Sequence, residues 1–303
     1  MNLSMLIRLA VVALALSLPA HVRADLLYVS SQGDNTIQTI SSNGTVSPFA
    51  SGLSYPYAMA FDSGSNLYVT NFDSGTIDKI TPGGVKSLFA SGLDGPGGLA
   101  IDTSGNLYVL NARSGEIEKF TPAGVGTTFA TGLFGSYGLA VDSAGNVYAG
   151  NYYPSTIEKF TPGGVKSVFA SGANANGVAA LAFDASGNLF SANYGSSSIT
   201  EFTPGGAASV IATGKPAIFA LAVDSSGNLF AANYNSGTIT EFTPGGASSV
   251  FASRLSQPVG LAFGPTRAVP EPSSLMTLCS GLSMIGAALC LRHRHRADHK
   301  GQA

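Results

Sequence analysis

Residues Leu99–Val109 read Leu-Ala-Ile-Asp-Thr-Ser-Gly-Asn-Leu-Tyr-Val, and residues Leu221–Ala231 read Leu-Ala-Val-Asp-Ser-Ser-Gly-Asn-Leu-Phe-Ala. The same pattern recurs along the middle of the chain, and one aspartate marks each copy, at Asp62, Asp102, Asp142, Asp184 and Asp224. The steps between these aspartates are 40, 40, 42 and 40 residues. A period near forty that contains several short strands is typical of the blades of a β-propeller.

Each repeat contains four runs of strand length, separated by turn residues. In the third repeat these runs are Gly98–Ile101, Asn106–Leu110, Glu116–Phe120 and Val125–Phe129, which we label strands a to d from the axis outward. The a–b turn has the pattern Asp-x-x-Gly-Asn, in which Asp can accept hydrogen bonds from the residues that follow and Gly tolerates a positive φ. The c–d turn reads Thr-Pro-Gly-Gly in four copies, and its Pro-Gly pair predicts a type II turn.

The number of strands predicts the number of blades. Six b strands are centred on Tyr28, Tyr68, Tyr108, Tyr148, Phe190 and Phe230. Six a strands are centred on Ala60, Ala100, Ala140, Ala182, Ala222 and Ala262. Because the first repeat begins at strand b and the last run, Val259–Phe263, is a strand a, we expect that run to complete the blade that starts in Leu26–Ala50. The fold class predicted is therefore all-β, a six-bladed propeller over residues 25–268 that is closed by its C-terminal strand.

The blade pattern Gly-Leu-Ala-x-Asp-x-x-Gly-Asn-Leu-Tyr-Val-x-Asn, followed by Ile-x-Lys-Phe-Thr-Pro-Gly-Gly, resembles NHL-type propeller repeats. It is also similar to the gluconolactonase-like and streptogramin-lyase-like propellers. The resemblance covers the body from about Leu26 to Phe263. It implies the fold, whereas its functional implications are diverse, because such rings include enzymes, binding proteins and scaffolds.

The charge of the body excludes nucleic acid as a partner. Residues 25–268 carry nine Lys plus Arg against fifteen Asp plus Glu, a net charge of −6. Phosphate backbones are bound by basic surfaces, and this body has the opposite sign.

The N-terminal segment, residues 1–24, is predicted to be a signal peptide. Arg8 is followed by an apolar run from Leu9 to Leu18, and the sequence Val22-Arg23-Ala24 places small residues where signal peptidase would cleave. We therefore expect the mature protein to be exported.

The C-terminal segment, residues 269–303, resembles a PEP-CTERM sorting signal. Its motif is Val269, Pro270, Glu271, Pro272 and Ser273; a charge-free run follows at 275–291, and the basic tail 292–303 contains Arg292, Arg294 and Arg296. The apolar run is just long enough for a single transmembrane helix, whose cationic end stays in the cytoplasm. The resemblance implies an exosortase that recognises and removes the tail, in a Gram-negative bacterium that makes exopolysaccharide.

Export would then run across the inner membrane, with a transient C-terminal anchor and delivery to the cell surface or extracellular matrix. A permanent single-span anchor, and with it a membrane-tethered sensor, is the alternative. Cys279 and Cys290, the two cysteines of the chain, fall within the apolar run and are read as apolar fillers.

Catalytic residues are scarce in the body. The histidines are His21, His293, His295 and His299, so residues 25–268 contain neither His nor Cys. This removes the usual general base and thiol nucleophile. The repeated aspartates are interpreted as turn-formers. The glutamates of strand c, Glu118, Glu158, Glu201 and Glu241, are expected to be solvated or paired with nearby lysines.

Two kinds of ligand site are left. A repeated asparagine follows strand b, at Asn71, Asn111, Asn151, Asn193 and Asn233, and could supply oxygen ligands to Ca²⁺, although it equally suits a loop cap. Aromatic residues come next in the chain and are the ligand-face candidates: Phe72, Tyr152, Tyr153, Tyr194 and Tyr234. The d–a loops add Tyr55, Tyr57, Phe134, Tyr137 and Phe219 on the same face. Exposed rings suit sugar or protein surfaces, whereas buried ones would pack between blades.

The sequence therefore predicts a non-catalytic surface or matrix propeller that binds exopolysaccharide or another exported protein, with no catalytic residues and no required cofactor. The alternative is a divalent-metal-dependent lactonase or hydrolase of the propeller type, which the resemblance allows. Such an enzyme would need a carboxylate that points into the central channel, and none is evident in the a strands.

Overall fold

A computed structural model describes residues 26–133, 135, 137–215 and 217–265. Over these residues the chain is all-β apart from one short 3₁₀ helix, Gly172–Ala175. The strands are, in chain order, β1 (Leu27–Ser31), β2 (Thr36–Ile40), β3 (Val46–Ala50), β4 (Pro56–Phe61), β5 (Leu67–Asn71), β6 (Thr76–Ile80), β7 (Lys86–Ser91), β8 (Pro96–Ile101), β9 (Leu107–Asn111), β10 (Glu116–Phe120), β11 (Gly126–Ala130), β12 (Leu139–Val141), β13 (Val147–Asn151), β14 (Thr156–Phe160), β15 (Lys166–Ser171), β16 (Val178–Phe183), β17 (Leu189–Asn193), β18 (Ser198–Phe202), β19 (Ala208–Ala212), β20 (Ile218–Val223), β21 (Leu229–Asn233), β22 (Thr238–Phe242), β23 (Ser248–Ala252) and β24 (Pro258–Phe263).

The strands form six four-stranded antiparallel sheets, the blades of a propeller. Blade 1 has the order β24-β1-β2-β3, and blades 2 to 6 follow as β4–β7, β8–β11, β12–β15, β16–β19 and β20–β23. The inner strands contact one another around a complete ring, from β4 through β8, β12, β16 and β20 to β24. The six-bladed architecture is thus confirmed, and in the third blade three of the four strands differ from their predicted limits by one or two residues.

The ring is closed by the last strand, as predicted. β24 pairs antiparallel with β1, so that Leu27 lies opposite Phe263 and Val29 lies opposite Leu261. The chain connections before and after these strands are also joined, because the amide of Gln32 donates to the carbonyl of Gln257 at 3.1 Å. Closure therefore rests on hydrogen bonds and packing between segments more than two hundred residues apart in the chain.

The core consists of apolar layers between neighbouring blades. In blade 4, Ile157 and Phe160 of β14 point to opposite faces of the sheet. Ile157 packs in the layer shared with blade 5, and Phe160 packs in the layer shared with blade 3. Strand b is buried along its whole length in blades 2 to 6, because both of its faces are covered, whereas the outer strand d is largely exposed.

The a–b turns are built on the repeated aspartate, as predicted. The carboxylate of Asp102 accepts hydrogen bonds from the amides of Ser104 and Asn106 at 2.9 and 2.8 Å, and from the side-chain amide of Asn106 at 2.8 Å. Blades 4, 5 and 6 repeat the arrangement around Asp142, Asp184 and Asp224. These carboxylates are therefore part of the turn, on the end of the ring that we call the turn face, which also carries the c–d turns.

The c–d turns are not type II, and that prediction was wrong. A type II turn requires positive φ at its third residue. In Thr81-Pro82-Gly83-Gly84 the positive φ, +81°, is at the fourth residue, Gly84, whose amide donates to the Thr81 carbonyl at 2.8 Å. This is a type I turn followed by a left-handed glycine, a geometry that matches the twist of a three-residue hairpin loop.

The a–b turn of blade 2 contains a strained residue. Its left-handed position is occupied by Ser65, with a φ of +64°, whereas the other complete a–b turns have Gly105, Gly145, Gly187 or Gly227 there. A left-handed conformation costs a residue with a side chain about 1 kcal/mol relative to glycine.

We expect Ser65→Gly to raise the free energy of unfolding by about 1 kcal/mol, which raises Tm by roughly 2–4 °C in a chain of this size. Thermal unfolding followed by circular dichroism would measure it. Ser104→Gly, which places glycine one position earlier in the blade 3 turn, is the matched control and should not stabilise. An unchanged or lower Tm for Ser65→Gly would contradict the assignment of strain.

The predicted signal peptide, sorting motif and transmembrane helix lie outside the described residues. Within the described ranges no helix has the length and apolar character needed to cross a bilayer.

Candidate functional site

Strand b of blades 2 to 6 ends in a buried asparagine that holds the following b–c loop. The side-chain amide of Asn71 donates to Asp78 at 3.0 Å and to Thr76 at 3.2 Å, both on the adjacent strand c. Its oxygen accepts a hydrogen bond from the amide of Ser54 at 3.1 Å. Asn111 likewise donates to Glu118 at 2.8 Å. The loops that carry the candidate aromatic residues are therefore positioned by hydrogen bonds inside each blade.

These contacts favour the loop-cap reading of the asparagines over the calcium reading. Each asparagine lies in a different blade and uses its amide within that blade, as with Asn193, which donates to Thr200 at 3.0 Å. Over the described ranges no group of three or more His, Cys, Asp or Glu side chains could hold a metal ion.

The glutamates of strand c belong to two different positions, which sequence reasoning had grouped together. Glu118 and Glu158 lie on the sheet face toward the preceding blade, but their partners are in their own blades: Glu118 accepts a hydrogen bond from Asn111, and Glu158 pairs with Lys166 at 3.2 Å. Glu201 and Glu241 instead lie opposite Phe190 and Phe230 of strand b, at the position that lysines occupy in blades 2 to 4.

The inner strands place large and small residues alternately around the axis. At equivalent positions, Tyr57, Tyr137 and Phe219 of blades 2, 4 and 6 alternate with Gly97, Ala179 and Val259 of blades 3, 5 and 1. This position is the second residue of the inner strand in five blades, and in blade 4 it lies two residues before β12. The rings of Tyr57 and Tyr137 stack at 5.4 Å with an interplanar angle of 19°. Alternation of large and small side chains fills the narrow centre of a ring. Sequence reasoning noted these aromatics but missed the alternation, which the alignment of the six strands already contains.

The central channel is small and apolar. Its cavity is about 100 Å³, and three successive residues of each blade line it. They are the second to fourth residues of the inner strand in five blades, and residues 137–139 in blade 4. Below the aromatic level the lining consists of small residues and of Met59, Leu99, Leu139, Leu181, Leu221 and Leu261. Among the described residues that line the channel, none is a carboxylate, and the tyrosine hydroxyls are the polar side-chain groups.

The aromatic residues form an arc at the end of the ring that carries the b–c and d–a loops, which we call the aromatic face. Successive ring centroids lie 5–7 Å apart along two branches. One joins Tyr55, Phe72, Tyr57 and Tyr137, and the other joins Tyr153, Tyr152, Tyr194, Phe219 and Tyr234. Blades 1 and 3 contribute Gln32 and Ala112 at the corresponding loop position.

The arc contains an open pocket of about 370 Å³. Its lining residues are Gly135, Tyr137, Tyr152, Tyr153, Ala179, Tyr194 and Phe219. Tyr153 and Tyr194 are 70% and 42% exposed, so their rings face solvent at its rim. Two small residues, Gly135 in the loop before β12 and Ala179 in β16, line the space between the rings.

The five ligand-face candidates do not have equal access. Tyr152, Tyr153 and Tyr194 lie together at the pocket, whereas Tyr234 is half-buried against Phe219, at a centroid distance of 5.3 Å. Phe72 is half-buried, and the Arg113 guanidinium covers its ring at 4.6 Å. None of the five belongs to the apolar layers between blades. Phe134, also expected on this face, lies outside the described residues.

Burial favours the protonated form of three tyrosines of the face. Burial, reinforced by Tyr137, raises the pKa of Tyr57 well above its usual value. Burial also raises the pKa of Tyr152, with a further contribution from Tyr153. For Tyr234, burial and then a hydrogen bond with Tyr55 raise the pKa. At these three positions the face therefore presents aromatic rings whose neutral hydroxyls both donate and accept hydrogen bonds.

Tyr57 makes the fold sensitive to alkali. The pKa of Tyr57 in the folded protein is above the unfolded value of about 10. Its contribution to the free energy of unfolding is therefore complete below pH 10 and is lost as the pH rises further. We expect Tyr57→Phe to lose less stability than the wild type between pH 9 and about pH 12, measured as Tm against pH. Tyr153→Phe, which removes an exposed hydroxyl, is the control. Parallel curves for the wild type and Tyr57→Phe would contradict the expectation.

Comparison with known proteins supports the fold. No protein-family model matches the sequence, and no curated protein matches it. A structure of a nidogen/laminin complex contains a similar chain, with a TM-score of 0.73 and 19% identity, covering 80% of this chain and 100% of that one. A streptogramin B lyase matches with a TM-score of 0.62 and 14% identity, covering 80% of this chain and 95% of the lyase.

A third similar structure is a virginiamycin B lyase from Staphylococcus aureus, a catalytically inactive variant with a histidine replaced by alanine, in complex with quinupristin. Its TM-score is 0.61 at 15% identity, over 82% of this chain and 94% of that one. At these identities the similarity establishes a propeller fold shared with a chain of the nidogen/laminin complex and with lyases, and the function has to be argued from the site.

Proposed function

We propose that this protein is an exported, non-catalytic propeller that binds exopolysaccharide through its aromatic face. The observation that carries the proposal is the pocket between Tyr152, Tyr153 and Tyr194, where aromatic rings and phenolic hydroxyls lie together at the surface. Aromatic rings stack on the apolar faces of sugars, and hydroxyls bond to the sugar hydroxyls around them. An open pocket along an arc of rings suits a chain of sugars better than a single small molecule.

The absence of a catalytic set in the described part of the chain supports a binding role. Residues 26–265 contain no His, while the lyase related in fold is inactive when a histidine is replaced. The channel, where a lactonase-type enzyme would hold a metal, is lined by apolar side chains and tyrosines. We therefore expect no lactone turnover and no stoichiometric bound metal in the purified protein.

The delivery route in the proposal follows from the two ends of the sequence. Signal peptidase would remove residues 1–24 during export across the inner membrane of a Gram-negative bacterium. The motif at 269–273 and the basic tail would then direct processing by an exosortase and release to the cell surface or matrix. The truncated C-terminus would be visible by mass spectrometry of the surface protein, whereas an intact tail in membrane fractions would favour the tethered sensor.

Retention on exopolysaccharide tests the binding role. We expect the double variant Tyr152→Ala with Tyr194→Ala to bind native exopolysaccharide at least about tenfold more weakly than the wild type, because two stacking rings are lost. Leu88→Ala with Val168→Ala is the matched control, since it removes two apolar side chains, 63% and 62% exposed, from outer strands. Equal retention of the tyrosine variant and the control would remove the face assignment.

If the wild-type protein is retained by another exported protein and not by the polysaccharide, the proposed partner changes, but the aromatic face remains the proposed binding surface.

A further inference from the structure

Blades 2 to 4 each hold a lysine ammonium at the same place near the turn face. In blade 2 the Lys79 Nζ lies 5.1 Å from the centroid of the Tyr68 ring and 3.6 Å from the carboxylate of Asp62. The Tyr68 hydroxyl lies 3.4 Å from the same carboxylate. Blades 3 and 4 repeat the ammonium-over-ring contact with Lys119 on Tyr108 and Lys159 on Tyr148, at 5.1 and 5.2 Å.

This Asp–Tyr–Lys set faces the next blade in the ring. Tyr68 packs in the same apolar layer as Phe120 of blade 3. The lysine therefore lies over the aromatic ring in the groove between two blades, near the turn face. In blades 2 and 4 a hydrogen bond to the tyrosine is the main cause that raises the pKa of Lys79 and of Lys159, so the ammonium form is favoured there.

Blades 5 and 6 keep the aspartate but change the other two residues together. Phe190 and Phe230 replace the tyrosine, and Glu201 and Glu241 replace the lysine at the same cross-strand positions. The ammonium is thus removed and its place is taken by a second carboxylate. Among the described residues, Glu201 forms no salt bridge.

A cavity accompanies the replacement in blade 5, and the packing around blade 6 differs. Between blades 6 and 1, the large side chain of Phe263 packs on Phe230 at 5.1 Å. Between blades 5 and 6 the equivalent inner-strand residue is Val223, which is smaller. A cavity of about 380 Å³ opens there, lined by Asp184, Glu201 and the ring of Phe190, and by the turns of blade 6 from Ser226 and Thr243.

We infer that this cavity between blades 5 and 6 binds a primary ammonium group supplied by another molecule, in the place where three sister blades hold their own lysine. Two carboxylates supply the opposite charge, and the Phe190 ring supplies a cation–π surface. The sister blades show that a lysine-like chain fits the groove while its ammonium contacts ring and carboxylate. The site lies on the turn face, so it is independent of the polysaccharide site proposed on the aromatic face.

Lys215 lies near this cavity, where its own ammonium group would compete with an external one. Lys215 Nζ lies 5.8 Å from the ring of Phe242, which also lines the cavity. Lys215 makes no ion pair with Asp184 or Glu201 in the described part of the chain. A Lys215→Ala variant therefore separates binding of an external ammonium from filling by the chain itself.

Calorimetric titration of the full chain at low salt tests the inference with Nα-acetyl-lysine N-methylamide as the probe. Its norleucine analogue has the same stem without the ammonium, and we expect it to bind at least about tenfold more weakly. Glu201→Lys should weaken binding of the lysine probe by a similar factor, because the new lysine fills the cavity as in blades 2 to 4. Glu241→Lys makes the same charge change in blade 6, where Phe263 packs on the Phe230 ring, and should leave binding unchanged.

The double variant Phe190→Tyr with Glu201→Lys recreates in blade 5 the Asp–Tyr–Lys set of blade 2. It separates a loss of probe binding from a loss of folding. We expect it to melt at or above the wild-type Tm and still to lose probe binding. Glucosamine as a second probe identifies the source of the ammonium. Tighter binding of glucosamine would assign an amino sugar, and tighter binding of the lysine probe would assign a protein side chain.

Three results would overturn the inference. The norleucine analogue could bind as tightly as the lysine probe, or Glu201→Lys and Glu241→Lys could weaken binding equally. Binding that is detectable only in Lys215→Ala would show that the cavity belongs to the chain's own lysine.

Discussion

A chain that ends at Gln257 is expected not to fold, whereas a chain that ends at Pro265 is expected to fold like the full protein. The difference is β24, which pairs with β1 and brings Val259 and Leu261 into the core. Burial of each such side chain contributes about 1.5–3 kcal/mol, before the loss of the sheet pairing is counted. Without the strand, blade 1 has three strands and its faces toward blades 6 and 2 open to water.

The net stability of a domain is about 5–15 kcal/mol, so losing the packing and the sheet pairing of β24 removes most of that stability. Size-exclusion chromatography and circular dichroism of the two truncated chains would measure the outcome. We expect the shorter chain to aggregate or to show no cooperative melting transition. If both chains melt at the same temperature, the terminal strand does not close the ring in solution.

Gly260→Ala is expected to lower the free energy of unfolding by about 3 kcal/mol, which corresponds to a Tm lower by roughly 6–12 °C. Gly260 lies opposite Ser30 in the closing pair of strands. A Cβ atom at this position would overlap the carbonyl oxygen of Tyr57 and crowd the Ser30 hydroxyl. That hydroxyl donates a hydrogen bond of 2.6 Å to the same carbonyl, so the substitution also disturbs a buried bond.

The backbone at Tyr57 cannot shift to make room for the new methyl group, because the Tyr57 carbonyl belongs to β4, the inner strand of the next blade. Gly163→Ala is the matched control, since its new methyl would meet nothing closer than the Thr161 hydroxyl at 3.9 Å. Thermal melting of both variants compares them directly. A Gly260→Ala protein that melts within a degree of the Gly163→Ala protein would show that blades 1 and 2 are less tightly joined than described.

The architecture could be predicted because one repeat pattern specifies it many times. Each aspartate marks an a–b turn, and the order of strands at the two ends leaves Val259–Phe263 one possible partner, the strand at Leu27. The type of the c–d turn could not be predicted in the same way. The pair Gly83-Gly84 allows positive φ at either residue, and the twist of the hairpin decides that Gly84 takes it.

The candidate site could be predicted in part. The loop position after each strand-b asparagine correctly located Tyr152, Tyr153 and Tyr194 on one face. The sequence did not indicate that Arg113 covers Phe72, because that contact joins two blades. Conversely, the exchange of Tyr and Lys for Phe and Glu was visible in the aligned repeats, but its meaning depended on the cavity between blades 5 and 6.

The proposal on which the binding role depends is that exopolysaccharide binds to the aromatic face. Hydrogen–deuterium exchange of the full chain, with and without exopolysaccharide from the producing bacterium, tests it most directly. With exopolysaccharide present, we expect slower exchange in the loops at residues 152–155 and 194–197, and unchanged exchange in the outer strands and c–d turns. Protection confined to the outer strands, or no protection at all, would contradict it.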